Sequence, residues 1–338
     1  MYVKWHGTIS KSRKLNGGGP QGGTFGLLEY QSQSNKNANC VDSDSRWKWV
    51  DDLTVLEIIN LINIGISSFN TRSQIPNDIN IDKHFIPKEN LKTQETLNSI
   101  SDWTKNQMMI LNKKKTNYMI FNYTKNYQFN SRLYVEGDII EEKEKVKLLG
   151  TIITNDLKWE DNTKEIIKKA NARMCLLRAI SSFSAPRSDL ITIYIQYIRS
   201  HIEQSCVVWH SSLTQEDRDN IERVQKNALR IILKQSYKSY ENALDVSELE
   251  TLEERRTKLS LKFAKNCQKS VLTKDIFKHK EIIHNMKLRH TEKYIVNNAF
   301  TSRYQESAVP YMQKLLNKHN REQEAHENQT QGSPFSLL

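Results

Sequence analysis

The sequence predicts an α+β chain in two parts. Short strands alternate with helices in the first part, and the second is all-helical, with the join near residue 160. Three observations carry this reading. Six of the 11 glycines fall between Gly17 and Gly26, which leaves the rest nearly free of the residue that most often interrupts regular structure. Residues 46–58 and 118–154 hold short apolar runs broken by Asp-Asp and Glu-Gly-Asp, both turn-forming. From Asp161 onward, apolar residues recur at helical spacing.

The elements follow in order. RWKWVDDLTVLEI, residues 46–58, reads as two strands about an acidic turn. Residues 66–87, with Pro76, Pro87 and several Asn, read as a long loop. Leu91, Leu97, Ile100, Trp103 and Met108 predict one helix over 88–112. Strand-like pieces follow at Tyr118 to Tyr123, Leu133 to Val135 and Val146 to Thr154, with Glu136-Gly137-Asp138 turning the second into the third. Ile166, Ala170, Met174 and Leu177 then mark a first long helix. Ser188 is the expected cap of a second, which carries Tyr194, Ile198, Ile202 and Trp209. Thr214 caps a third bearing Ile221, Val224 and Ala228, and a fourth runs from about Ser247 to Leu272. The stretch from Asn317 is polar and aperiodic, so the expected division is 1–160, 161–316 and a disordered tail, 317–338.

Composition narrows the class. No apolar run approaches the ~18–20 residues that span a bilayer. Met1 to Lys14 lacks the apolar stretch of a signal peptide, which points to an intracellular protein, nuclear or cytoplasmic. Cys40, Cys175, Cys206 and Cys267 are too scattered for a zinc knuckle or a disulfide framework and read as reduced thiols. The net charge is +11, and residues 164–338 carry 29 basic against 20 acidic residues. That excess fits a polyanionic partner, and equally a plain solvated basic surface.

Two segments of the first part can carry chemistry. Asn16-Gly17-Gly18-Gly19-Pro20-Gln21-Gly22-Gly23 precedes an apolar helical pattern, and a glycine-rich turn there lets backbone amides approach a nucleotide closely. Val50-Asp51-Asp52 sets paired carboxylates between two apolar stretches, and Mg²⁺ is commonly held by one or two carboxylates plus substrate phosphates. Each also reads as an ordinary turn.

Taken together, the segments GGGPQGGTFGLLEY, WKWVDDLTVLE, ISDWTKNQMMILNKKKTNYMIF and KVKLLGTIITNDLKW resemble the reverse transcriptase of non-LTR, LINE-like retrotransposons. WKWVDDLTVLE is similar to its aromatic-x-Asp-Asp box, with Trp49 in the aromatic position, and KVKLLGTIITNDLKW to its primer-grip hairpin. IYIQYIRSHIEQSCVVWHSSLTQEDRDNIERVQKNALRIIL resembles the region that follows the palm. The resemblance covers about residues 1 to 270 and implies a partial polymerase palm followed by a helical thumb.

The activity it implies is RNA-directed DNA synthesis by two Mg²⁺ ions on an RNA template, a DNA primer and deoxynucleoside triphosphates. Asp51 would be the main metal ligand, with Asp52 beside it. Gly19, Pro20, Gln21 and Gly22 would lie against the nascent base pair, Lys115 near the triphosphate, and Leu149 and Gly150 at the primer end. The resemblance also implies a third carboxylate upstream of the glycine-rich motif, yet residues 1–16 contain no Asp or Glu. The fingers are also missing from the match. The chain therefore reads as the carboxyl-terminal part of such a polymerase, inactive alone. The competing expectation is a non-catalytic nucleic-acid-binding remnant.

Overall fold

The computed structural model describes residues 4–5, 8–9, 46–49, 52–55, 92–106, 110–122, 132–270, 273, 276–277, 293–296 and 301–331. The chain separates into two compact units, Met1–Glu144 and Lys145–Leu338. Described residues are mostly helical, and every sheet among them is a two-stranded ribbon.

In the first unit, β1 (Lys4–Trp5) pairs with β2 (Thr8–Ile9). β3 (Arg46–Trp49) and β4 (Asp52–Val55) are antiparallel, with Trp49 opposite Asp52. Tryptophan and β-branched side chains suit this pleated surface, and the acidic residue falls at the strand end, where its poor strand propensity costs least. The expected loop over 66–87 lies outside the described residues.

The helix α1 (Lys92–Asn106) falls within the expected 88–112, whose described last residues, 110–112, are not helical, and it buries Gln94 as well as Ile100. Gln94 acts as a clamp. Its Nε2 donates to Tyr134 O at 2.8 Å, and Tyr134 N donates to its Oε1 at 2.9 Å. Tyr134 belongs to β6 (Tyr134–Val135), which pairs with β7 (Asp138–Ile139). Between them Glu136 and Gly137 both have positive φ, 52° and 88°, the arrangement of a type I′ hairpin. β5 (Asn117–Tyr118) runs parallel to β8 (Glu141–Glu142), so the expected strand to Tyr123 stops early and an unexpected one closes the unit. Leu133, Val135 and Ile140 form its small core, flanked by Leu97, Leu111 and Tyr118.

The second unit opens with a hairpin of β9 (Lys145–Leu148) and β10 (Thr151–Thr154). The strand-like stretch from Val146 to Thr154 thus folds back at Leu149-Gly150, as a hairpin, the form that the resemblance implies for KVKLLGTIITNDLKW. The division at Glu144/Lys145 precedes the expected join near 160 because this hairpin docks on the helix after it, α2 (Glu160–Ser182). Asn162, almost fully buried, accepts from Ile152 N at 3.0 Å, and Lys145 meets Asp161 at 2.5 Å.

α2 buries Ile166, Ala170, Met174 and Leu177 on one face, as its periodicity predicts. The next helix has Pro186, not Ser188, at its N-cap position. Proline's fixed φ suits the entry, and Ser188 Oγ turns to Asp189 instead of capping. α3 (Arg187–Ile193) passes through a π-helical turn, Tyr194–Arg199, into α4 (Ser200–Ile202). The chain then breaks at Ser205, in the left-handed region, so Trp209 sits on a separate helix, α5 (Cys206–Trp209). A 3₁₀ turn, His210–Ser212, leads to α6 (Gln215–Leu233), where Thr214 accepts from Asp217 N as the expected cap.

The expected fourth helix, from about Ser247, starts later, at Leu252, and a short helix not expected from the sequence precedes it. α7 (Tyr240–Val246) is capped by Ser239, and α8 (Leu252–Lys269) starts at a capping box of Thr251 and Glu254. α9 (Ser302–Gln305) and α10 (Ala308–Gln331) follow, so a helix runs through most of the expected tail. Met312, Leu316 and Asn317 are buried on α10, which gives it packing that its polar composition hides.

The core of the second unit lies among α2 to α8. Gln225, fully buried, accepts from Tyr194 Oη at 2.5 Å and donates from Nε2 to Tyr240 Oη and Glu250 O, both at 2.9 Å. Tyr240 also donates to Glu222. Arg256, with no exposed surface, donates from Nε to His210 Nδ1 at 3.2 Å, and its guanidinium lies 6.0 Å from the Trp209 ring. Among the described residues no helix is long and apolar enough to cross a membrane.

Candidate nucleic-acid interface

Of the residues singled out in the sequence, Gly19, Pro20, Gln21, Gly22 and Asp51 lie outside the described residues. Asp52 opens β4 at the end of the β3–β4 hairpin. Lys115 is exposed in a turn of the same unit, where its N–H donates to Asn112 O at 3.0 Å. Its neighbour Lys113 is tied to Asp138 and Glu136, at 2.6 and 3.0 Å, which raises its pKa. Among the described residues no cluster of three or more His, Cys, Asp or Glu is placed to hold a metal ion.

Leu149 and Gly150 form the tip of the β9–β10 hairpin in the second unit. Their φ values are 48° and 89°, a second type I′ turn. Gln204, just before the break at Ser205, reaches this tip and donates from Nε2 to Leu149 O at 3.2 Å. A Cβ on Gly150 would lie 2.4 Å from that same Nε2. Glycine therefore answers two demands at this position, backbone handedness and space.

Basic side chains gather on the helix beneath the hairpin. Lys145 and Lys147 occupy the exposed face of β9, as strand alternation requires. Lys147 and Lys168 both lie near Glu165 on α2, and their charges help lower its pKa. Glu165 pairs with Lys169 at 3.1 Å, which lowers the carboxyl's pKa and raises the ammonium's. One helical turn on, Arg173 donates from Nη1 to Tyr197 O at 2.6 Å and stacks 4.4 Å over the Tyr197 ring. Tyr197 belongs to the π-helical turn. That turn aims Tyr194 and Ile198 into the core and leaves Tyr197 largely exposed. His201 stands nearby. Its pKa is lowered by burial first, then by Arg173 and Lys169.

The cluster thus joins Lys147, Lys168, Lys169 and Arg173 to an aromatic face, with Glu165 the carboxylate in their midst. Such an arrangement suits phosphates along a backbone and one base or sugar stacked on Tyr197. In the sequence these residues merge into a diffusely basic half and do not stand apart. A local signal exists, since Lys169 and Arg173 are four apart on one helix face and Lys145 and Lys147 alternate on a strand. Gln204 has no local signal, because its partner is 55 residues away in sequence.

No family model matches the chain, and no curated protein or solved structure matches it either.

Proposed function

We propose that this chain is part of an RNA-directed DNA polymerase of the non-LTR retrotransposon kind. The first unit would contribute palm, and the second the primer-positioning hairpin and a helical thumb. The observation that carries the reading is the β3–β4 hairpin. It sets Trp49 opposite Asp52, so Asp52 falls at the end of two antiparallel strands, with Asp51 adjoining it in sequence. In the reading, Asp51 and Asp52 hold Mg²⁺, and Gly19, Pro20, Gln21 and Gly22 with Lys115 attend the template and incoming nucleotide. Leu149 and Gly150 position the primer end. When bound, two Mg²⁺ ions supply charge stabilisation to the attacking and leaving oxygens of nucleotidyl transfer. Nuclear or cytoplasmic location belongs to the same reading.

A second reading, a nucleic-acid-binding module without catalysis, draws on a different observation. The Lys147, Lys169, Arg173 and Tyr197 cluster sits in a unit with its own core and owes nothing to the acidic pair. Primer extension on an RNA template separates the two. The chain is assayed with Mg²⁺ and four deoxynucleotides, alone and joined to a fingers-and-palm segment that carries the third carboxylate. Extension in the joined form that disappears with Asp51→Ala supports the polymerase reading. Template binding without extension in either form favours the second.

A further inference from the structure

A cavity of about 300 Å³ opens between α8 and α10, near the lower end of the size range of small-ligand sites. Its wall is chemically one-sided. Lys265, Gln268 and Lys269 line it from α8, and His319, Asn320 and Gln323 from α10, while Tyr294 and Leu316 complete it. Among the described residues no carboxylate lines it. The acidic residues nearest in sequence on α10 are Glu322, which meets Lys318 at 3.9 Å, and Glu324, and neither lines the cavity.

Two details show what this wall lacks. The amide nitrogens Gln268 Nε2 and Asn320 Nδ2 are buried and make no hydrogen bond. A buried donor left unpaired costs roughly 1–3 kcal/mol, so two beside one cavity call for an acceptor. Lys265 Nζ also lies 2.6 Å from His319 Nε2. An ammonium has no lone pair, so Lys265 donates and the imidazole accepts through its neutral nitrogen.

The wall is fixed in place. Asn317, 3% exposed, grips the backbone of Tyr294 from both sides. Its Oδ1 accepts from Tyr294 N at 3.0 Å, and its Nδ2 donates to Tyr294 O at 3.1 Å. Ala264, Cys267, Met312 and Leu316 form the apolar floor between the helices. On the outer surface, Lys262 and Lys269 lie at helical spacing from Lys265, which continues the positive stripe to the cavity mouth.

We propose that this cavity binds a phosphate-class anion, with Lys265 and Lys269 supplying charge and the two orphaned amides supplying directed donors. One anionic oxygen near Gln268 and Asn320 satisfies both amides, and a second frees Lys265 from the imidazole. The ligand is either a free phosphate or pyrophosphate, or a phosphate of a nucleic-acid backbone. The site lies on other residues than the acidic pair and does not rest on the polymerase reading.

The test is calorimetric titration of the full chain with inorganic phosphate, pyrophosphate and a short RNA oligonucleotide, with chloride at matched ionic strength as the reference. Variants are Lys265→Met, Asn320→Leu and, as a control on the same helix outside the cavity, Lys258→Met. Binding of phosphate or pyrophosphate that weakens about tenfold or more in the first two variants and not in the control supports the site, since a charge-assisted contact is worth that much. If only the oligonucleotide binds, with the same pattern of loss, the phosphate comes from a nucleic-acid backbone and the site stands. Asn320→Leu preserves all cavity charges and carries the test if Lys265→Met does not fold. Absence of binding, or equal weakening in the control, overturns the proposal. Asp51→Ala is expected to bind the anion as the parent does, so failure of the polymerase reading leaves this result readable.

Discussion

Gln204 Nε2 donates to Leu149 O at 3.2 Å and occupies the space where a side chain on Gly150 would begin. One glutamine thus joins the hairpin tip to the far end of the π-containing helix. Gly137, at the matching position of the β6–β7 turn, has nearly the same φ and nothing within 4 Å.

These two glycines make a matched test. Gly137→Ala is expected to cost about 1 kcal/mol from backbone strain alone. Gly150→Ala is expected to cost about 1 kcal/mol more, because Gln204 must also leave its acceptor. Hydrogen exchange of the hairpin amides reads both. A double-mutant cycle with Gln204→Ala isolates the contact. Equal costs at the two glycines, with no coupling to Gln204, contradict the bracing role.

Acid should weaken the second unit through His210. Burial lowers its pKa from 6.5 to about 3, with Arg256 and Arg218 adding repulsion. The folded form keeps the ring neutral while the unfolded chain takes up a proton below 6.5. Stability contributed by the neutral ring is therefore full above that value and lost as pH falls toward 3, by at most about 1.4 kcal/mol per pH unit. Urea midpoints over this window should show the slope, and His210→Gln should flatten it. An unchanged slope in the variant would assign the acid sensitivity elsewhere.

Gln225→Leu should be severely destabilising. It removes the acceptor of Tyr194 Oη and the donor to Glu250 O inside a closed core. Two orphaned polar groups at roughly 1–3 kcal/mol each predict a loss of about 2–6 kcal/mol in urea unfolding. A loss below about 0.5 kcal/mol, the usual size for an ordinary surface substitution, would show that the network is dispensable.

Nucleic-acid affinity, if carried by the α2 cluster, should fall linearly with the logarithm of salt. Lys147→Ala and Lys169→Ala should each lower that slope by about one for a duplex contact. Tyr197→Ala should instead reduce affinity by about 1–3 kcal/mol for single strands, with the salt slope unchanged. Identical salt slopes in all three variants and the parent would remove the cluster from the interface.

The helices of the second unit were legible because long 3.6-residue patterns report a buried face directly. Ile166, Ala170, Met174 and Leu177 are buried as spaced, and Thr214 caps where a hydroxyl precedes an apolar run. The π-helical turn was not legible, since Tyr194, Ile195 and Ile198 keep ordinary helical spacing through it. The break at Ser205 escaped for a related reason, because no glycine marks its left-handed backbone. In the first unit, local turn chemistry marked the turn at Glu136-Gly137, though the strand it leads into is β7 and not the expected Val146 to Thr154. The parallel pairing of β5 with β8 depends on distant partners and left no local mark. The candidate interface was visible as an excess of charge and not as a place. Its definition depends on a strand, two helices and a π turn meeting in three dimensions.

The π-helical turn behaves as a one-residue insertion that the helix has absorbed without breaking. A residue adds about 100° of rotation along a regular helix. Deleting Gln196 would remove that insertion and let the segment relax to an α-helix with everything after it still in phase, whereas forcing all six residues into α-helical geometry would swing everything after them by about that angle. In the second case Ile202 would leave the core, and Gln204 would no longer point at Leu149. The phase of this one helix, more than its composition, keeps the hairpin tip in register with the core beneath it.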